Sequence, residues 1–114
     1  MSDCIFCRIV SGEIPARKVY EDDQLIAFDD IAPTAPVHLL VIPKRHLVSL
    51  LDLTEADDAL VGKIHRIAAT LARERGIDQS GFRVVVNTNR DGGQSVFHLH
   101  FHLIGGRSMQ WPPG

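Results

Sequence analysis

Ser95-Val96-Phe97-His98-Leu99-His100-Phe101-His102-Leu103-Ile104 holds three of the chain's six histidines, alternating with Leu99, Phe101 and Leu103. A period of two predicts a β-strand over residues 96–105, with His98, His100 and His102 on one face and the apolar residues on the other. The apolar face suits burial against a helix. The imidazoles would line the opposite surface, beside Ser95 and the Gly92-Gly93 turn. A strand rises about 3.3 Å per residue, so His98 and His102 would stand roughly 13 Å apart at Cα. Zinc–nitrogen bonds are only about 2 Å long. Three such histidines on a straight strand can hardly share one metal, and the pattern implies a division of labour.

The rest of the chain supplies partners for that strand. His38-Leu39-Leu40-Val41-Ile42 is a nearly continuous apolar run, which predicts a strand buried on both faces and stopped by Pro43. Residues 18–21 and 24–29 read as a hairpin turning at Asp22-Asp23, followed by a proline-punctuated loop over residues 30–36. Residues 82–87 form a further strand, joined to the last by a polar loop over residues 88–93. Two helices are expected. A short one covers residues 3–10, ended by Ser11-Gly12. A long one starts at a Thr54/Asp57 capping box, carries Leu60, Val61, Ile64, Ile67, Ala68, Leu71 and Ala72 at helical spacing, and stops at Gly76. His65 sits at the edge of that apolar face in a structural place, and Arg73 and Arg75 suit the helix's negative end. Glu21-Asp22-Asp23 reads as a solvated turn, and residues 109–114 as irregular. Strands linked without helical crossovers predict an α+β fold, an antiparallel sheet with a helix packed on it.

The chain's 114 residues suit a single domain spanning 1–114, and its 45% apolar and 23% charged residues suit a packed core. A net charge of −2 argues against a nucleic-acid binder, which would carry a basic face. No apolar run has the length of a membrane span, and the first residues lack a leader pattern, so a cytoplasmic protein with no membrane partner is expected.

Histidines without carboxylate neighbours suit nucleophilic and acid roles, since an unperturbed imidazole titrates near neutrality. Ser95 lies on no G-x-S-x-G elbow, which argues against a serine hydrolase. Glycines followed by a hydroxyl residue offer unhindered N–H groups for phosphate oxygens. Together these point to phosphorus chemistry.

His98-Leu99-His100-Phe101-His102-Leu103-Ile104 resembles the H-φ-H-φ-H-φ-φ signature of the histidine triad superfamily. Ile14-Pro15, Phe28-Asp29-Asp30-Ile31, the run from His38 to Lys44, Gly92-Gly93-Gln94-Ser95 and Trp111-Pro112-Pro113-Gly114 extend the resemblance along nearly the whole chain, toward the histidine triad nucleotide-binding (Hint) branch. The resemblance implies a homodimer that hydrolyses purine nucleoside phosphoramidates, such as adenosine phosphoramidate or amine conjugates of AMP or GMP, at the α-phosphorus. His100 would be the nucleophile. His102 and Ser95 would contact the phosphoryl oxygens and leaving group, helped by backbone N–H groups of Gly93, Gln94 and Ser95, with His38 positioning the nucleophile. Asp30 would accept the ribose hydroxyls and Asn87 would bond near the phosphate. Ile5, Phe6, Ile9, Ile31 and Leu40 would form the purine pocket, and Trp111 would pack near the partner's site. Two other readings stand beside this one: a dinucleoside polyphosphate hydrolase or nucleotidyl transferase, and a zinc-stabilised nucleotide-binding adaptor.

Cys4 and Cys7 stand in C-x-x-C spacing, which one helical turn can aim at a common point. His46 and His98 are the candidate third and fourth ligands of a structural zinc. The alternative is a pair of reduced, half-buried thiols, with His98 supporting the nucleophile instead. No organic cofactor is expected.

Overall fold

The computed structural model describes residues 3–114. Its elements are α1 (Ile5–Val10), β1 (Lys18–Glu21), β2 (Leu25–Asp29), β3 (Val37–Pro43), α2 (Asp58–Glu74), β4 (Phe82–Val86), α3 (Asn89–Gly92) and β5 (Phe101–Gly105). Single 3-10 turns at Leu50–Asp52 and Glu55–Asp57 lead into α2. The strands form one sheet in the order β1-β2-β3-β5-β4, every neighbour antiparallel. The fold is α+β, as the linkage of the strands predicts.

Alternation along the strands builds two cores. Leu25, Ala27, Leu39, Val41, Leu99, Phe101 and Leu103 meet Ile64, Ile67, Leu71 and Ala72 of α2 on one face. Ile26, Phe28, Leu40 and Ile42 meet Phe6 and Ile9 of α1 on the other. β3 is therefore buried on both sides. The capping box forms at Thr54 and Asp57 and starts the α2 segment where the sequence places it. The β1–β2 turn is less solvated than its charge suggests. Asp22 accepts from Gln24 N–H and Leu25 N–H at 2.7 and 3.0 Å, from the Tyr20 hydroxyl at 2.6 Å, and pairs with Lys63 of α2 at 2.6 Å. Burial alone would raise the Asp22 carboxyl, but these partners outweigh it and hold it well below the usual carboxylate range. Arg75, just past α2, pairs with Asp29 at 3.2 Å rather than with the helix end alone.

Three differences from the sequence reading bear on the site. β5 begins at Phe101, not at residue 96, so only His102 of the triad lies in the sheet, opposite Leu40 and Val85. The cause is Pro43. It has no N–H to give the ladder, and its carbonyl accepts instead from His98 Nε2 at 2.8 Å, while Leu99 N–H reaches Leu47 O at 2.6 Å. Alternation survives the bend, so the histidines still share one side. The stretch expected as a polar loop contains the turn of helix α3, closed by Gly93 in the left-handed region at φ 82°. α1 begins at Ile5 because Cys4 caps it, its Sγ accepting from Cys7 N–H at 3.3 Å. Among the described residues no helix is long and apolar enough to cross a membrane.

Phe101 is 1% exposed and belongs to the α2-side core. Phe101→Ala should cost about 3–5 kcal/mol in denaturant unfolding, with the slope of the transition unchanged.

Candidate active site

The hydrogen bonds of the imidazoles assign their protons. His100 Nδ1 donates to the carbonyl of His98 at 2.7 Å, which leaves the lone pair on Nε2. His38 Nδ1 accepts from the backbone N–H of Thr34 at 3.1 Å, so His38 carries its proton on Nε2. That Nε2–H lies 2.9 Å from His102 Nδ1, and His102 in turn keeps its proton on Nε2. Asp30 Oδ2 stands 3.4 Å from His38 Nε2. Burial pushes His102 down to about 4, reinforced by the neighbouring His100 and His38 and opposed by Asp30. Burial lowers His98 as well. At neutral pH the site thus holds a neutral His102 that donates from Nε2, beside a His100 whose Nδ1 is committed to the His98 carbonyl.

Both histidines line a cavity of about 260 Å³. Its walls are apolar: Ile5, Phe6, Ile9 and Ile14 come from α1 and the turn after it, with Phe28 and Leu40 from the sheet. Asp30, Ser95, His100 and His102 stand at the polar end, and Ile31, 97% exposed, forms the lip. Phe6 sets its ring edge-on to His98, His100 and Phe28 at 5.9, 5.1 and 5.7 Å between centroids. The residues named from the sequence as a pocket are thus brought together, joined by Ile14, Pro15, Ala16, Phe28 and Val96, which were not. Ile14-Pro15 was visible in the sequence as a motif without an assigned role.

Three named residues lie elsewhere. Asn87 lines a neighbouring depression with Thr34, His38, Val85, His102 and Ile104. Gly93 caps α3. Gln94 is buried, and its amide is consumed within the protein, accepting from Asn89 N–H at 2.9 Å and donating to Val48 O at 2.7 Å and Val96 O at 3.1 Å. Its side chain therefore shapes the loop that carries Ser95.

Behind the triad, Cys4 Sγ, Cys7 Sγ, His46 Nδ1 and His98 Nδ1 lie within 4.8 Å of one another. Cys4 Sγ and Cys7 Sγ are 3.4 and 3.5 Å from His98 Nδ1, Cys7 Sγ is 3.1 Å from His46 Nδ1, and the two Nδ1 atoms are 3.2 Å apart. A tetrahedron with metal–sulfur bonds near 2.3 Å and metal–nitrogen bonds near 2.0 Å has edges of about 3.3–3.8 Å. These separations are close to those edges, and the bond from His98 Nε2–H to Pro43 O turns the Nδ1 lone pair toward the thiols. The donor set and spacing fit a divalent metal of the zinc type. His98 joins both groups, with its ring in the quartet and its carbonyl on His100.

The HIT domain family matches the chain over residues 11–109. The chain is 51% identical over 112 residues to an uncharacterized HIT-like protein of Synechococcus elongatus, covering 98% of this chain and 97% of that one. It is 48% identical over 114 residues to a 14 kDa zinc-binding protein of Brassica juncea, covering 98% and 100%. A crystal structure of a HIT family hydrolase from Legionella pneumophila superposes with a TM-score of 0.96 at 49% identity, over 98% of this chain and all of the other.

The low His102 value sets a pH dependence whose sign is fixed. An unfolded imidazole titrates near 6.5. His102 therefore contributes stability in full above that pH and loses it as the pH falls toward 4. Imidazole NMR signals should place the His102 midpoint near 4; a midpoint at or above the unperturbed value would overturn the assignment.

Proposed function

The chain belongs to the HIT domain family, and on that premise we propose that it hydrolyses purine nucleoside phosphoramidates at the α-phosphorus through a nucleotidyl intermediate on His100. The observation that carries the reading is the bond from His100 Nδ1–H to the His98 carbonyl, which presents the Nε2 lone pair at the polar end of an apolar cavity. The purine enters between Phe6, Ile9, Phe28 and Leu40, and Asp30 at the rim accepts from the ribose hydroxyls. His100 Nε2 attacks phosphorus, the Nε2–P bond forms, and the P–N bond breaks with its electron pair passing to the amine nitrogen. His102 Nε2–H and the Ser95 hydroxyl donate to the phosphoryl oxygens, and the leaving amine takes up a solvent proton relayed through the Ser95 hydroxyl. Water then attacks phosphorus and returns a proton to solvent, the Nε2–P bond breaks with its electron pair going back to Nε2, and the nucleoside monophosphate leaves with His100 restored. His98 O accepts from Nδ1–H throughout, stabilising the imidazolium that forms between the two steps.

Asn87, in the adjoining depression, borders the leaving-group side. The quartet of Cys4, Cys7, His46 and His98 would hold a structural zinc that ties α1 to the triad. The domain spans residues 1–114 and pairs as a homodimer, with Trp111, 82% exposed, offered to the partner.

His100→Gly should lower hydrolysis of an AMP–amine conjugate by at least about 10³-fold while AMP binding persists. Quenching the wild-type reaction with labelled substrate should trap nucleotide on the protein. An unlabelled protein would favour a binding adaptor, and faster turnover of a diadenosine polyphosphate would favour the related hydrolase. Purified protein should carry about one zinc per chain and lose it in Cys4→Ala; less than about a tenth of an equivalent in the wild type would sink the metal assignment.

A further inference from the structure

The proline loop over residues 30–36 is exposed, yet it carries the N–H that sets the protonation of a buried histidine. Pro33 and Pro36 have no N–H to anchor it. Its middle is Thr34, and both backbone groups of that residue are engaged. Thr34 N–H donates to His38 Nδ1 at 3.1 Å, and Thr34 C=O accepts from Arg107 Nε at 3.0 Å. Arg107 follows β5, in the turn opened by Gly106. That turn packs so closely on the loop that a Cβ on Gly106 would stand 2.9 Å from Pro36 Cβ, and Gly106 has φ 91°. The guanidinium serves main chain, since Nη1 reaches Ser108 O at 3.3 Å and, among the described residues, no carboxylate lies within ion-pair distance of it.

We propose that Arg107 is a positioning residue for the histidine site: by holding Thr34 O it keeps Thr34 N–H on His38 Nδ1, so His38 donates from Nε2 to His102 and leaves the His102 proton on Nε2. Arg107 touches neither substrate nor reacting atoms. It acts through one peptide segment and two imidazoles. The inference rests on the reaction proposed above for its kinetic readout, but not for its spectroscopic one. Asp30 is anchored independently, by Asp30 N–H to His38 O at 3.0 Å and Ala32 N–H to Asp30 Oδ1 at 2.8 Å. Loss of the Arg107 bond should therefore spare nucleotide affinity and strike the chemical step.

The test compares Arg107→Met, which has the length but no donor, with Arg107→Gln, whose Nε2 occupies the chain position of the arginine Nε without the charge. In ¹⁵N-labelled full-length protein, His38 should show a single Nε2–H tautomer in the wild type and in Arg107→Gln, and a mixture in Arg107→Met. With an AMP–amine conjugate, kcat should fall about tenfold or more in Arg107→Met, with AMP dissociation changed less than about threefold and Arg107→Gln close to wild type. A wild-type tautomer and rate in Arg107→Met would overturn the proposal. So would equal impairment in both variants, which would assign the effect to charge, or weaker AMP binding at unchanged kcat. If the wild type turns over no such substrate, the proposed reaction fails, and the His38 tautomer alone decides the role of Arg107.

Discussion

One hydrogen bond inside the molecule, from His98 Nε2 to the carbonyl of Pro43, settles three things at once. It occupies the carbonyl at the end of β3, where the absent N–H of proline already denies the ladder a donor, so the sheet releases the chain before His100. It fixes the tautomer of a fully buried imidazole, turning Nδ1 toward Cys4 and Cys7. It also holds the peptide whose oxygen accepts from His100. A buried imidazole without such a partner would leave a polar group unsatisfied, at a cost of about 1–3 kcal/mol. The position therefore demands the bond, and the bond arranges its neighbours.

The release from the sheet is what lets the three histidines divide their work. On a straight strand, His98 and His100 would project in parallel from one plane. Bent away at residues 96–98, the chain drops His98 behind the triad into the thiol group and leaves His100 and His102 side by side, 4.9 Å between ring centroids. α1 then covers them, with Phe6 against both His98 and His100. A cysteine at the cap of that helix, another in its first turn and an aromatic ring between them make the same short segment a pocket wall and one half of a donor set that fits a metal. A six-residue helix has little intrinsic stability, so its place depends on these two attachments.

Much of this was legible in the sequence, and for identifiable reasons. Alternation of His with Leu and Phe reports which side each residue faces, and that survives a bend, because both strand and extended irregular chain place successive side chains on opposite sides. The unbroken apolar run of β3 reported burial on both faces, and C-x-x-C with His46 reported a donor set. What the sequence did not carry were contacts made by main chain. Pro43 O, Thr34 N–H and Thr34 O have no side-chain signature, so neither the early end of the ladder nor the tie from Arg107 through Thr34 to His38 could be read. Gln94 shows the same limit from the side-chain end. Its amide looks suited to a ligand, but three backbone groups of its own loop and of Val48 and Asn89 claim it first.

The orienting group behind His100 is a carbonyl and not a carboxylate, and this bears on the chemistry the site can do. A carboxylate on Nδ1 would hold the proton more tightly and favour the charged ring, which has no lone pair to give. A carbonyl selects the Nε2 lone pair by geometry alone and adds no charge. The same economy holds on the other side, where His102 is oriented by a neutral His38 and is kept neutral by burial, with Asp30 a step removed at 3.4 Å from His38. Two imidazoles with fixed Nδ1 partners, His100 on a carbonyl and His102 on His38, then line the apolar cavity. In the proposed reaction, an anionic phosphoryl group would meet a nucleophile oriented by the His98 carbonyl and a donor whose proton is already placed. In that reaction positive charge would develop on His100 as the new bond to phosphorus forms, when the His98 carbonyl would stabilise it most, so the interaction would be stronger in the transition state than before it.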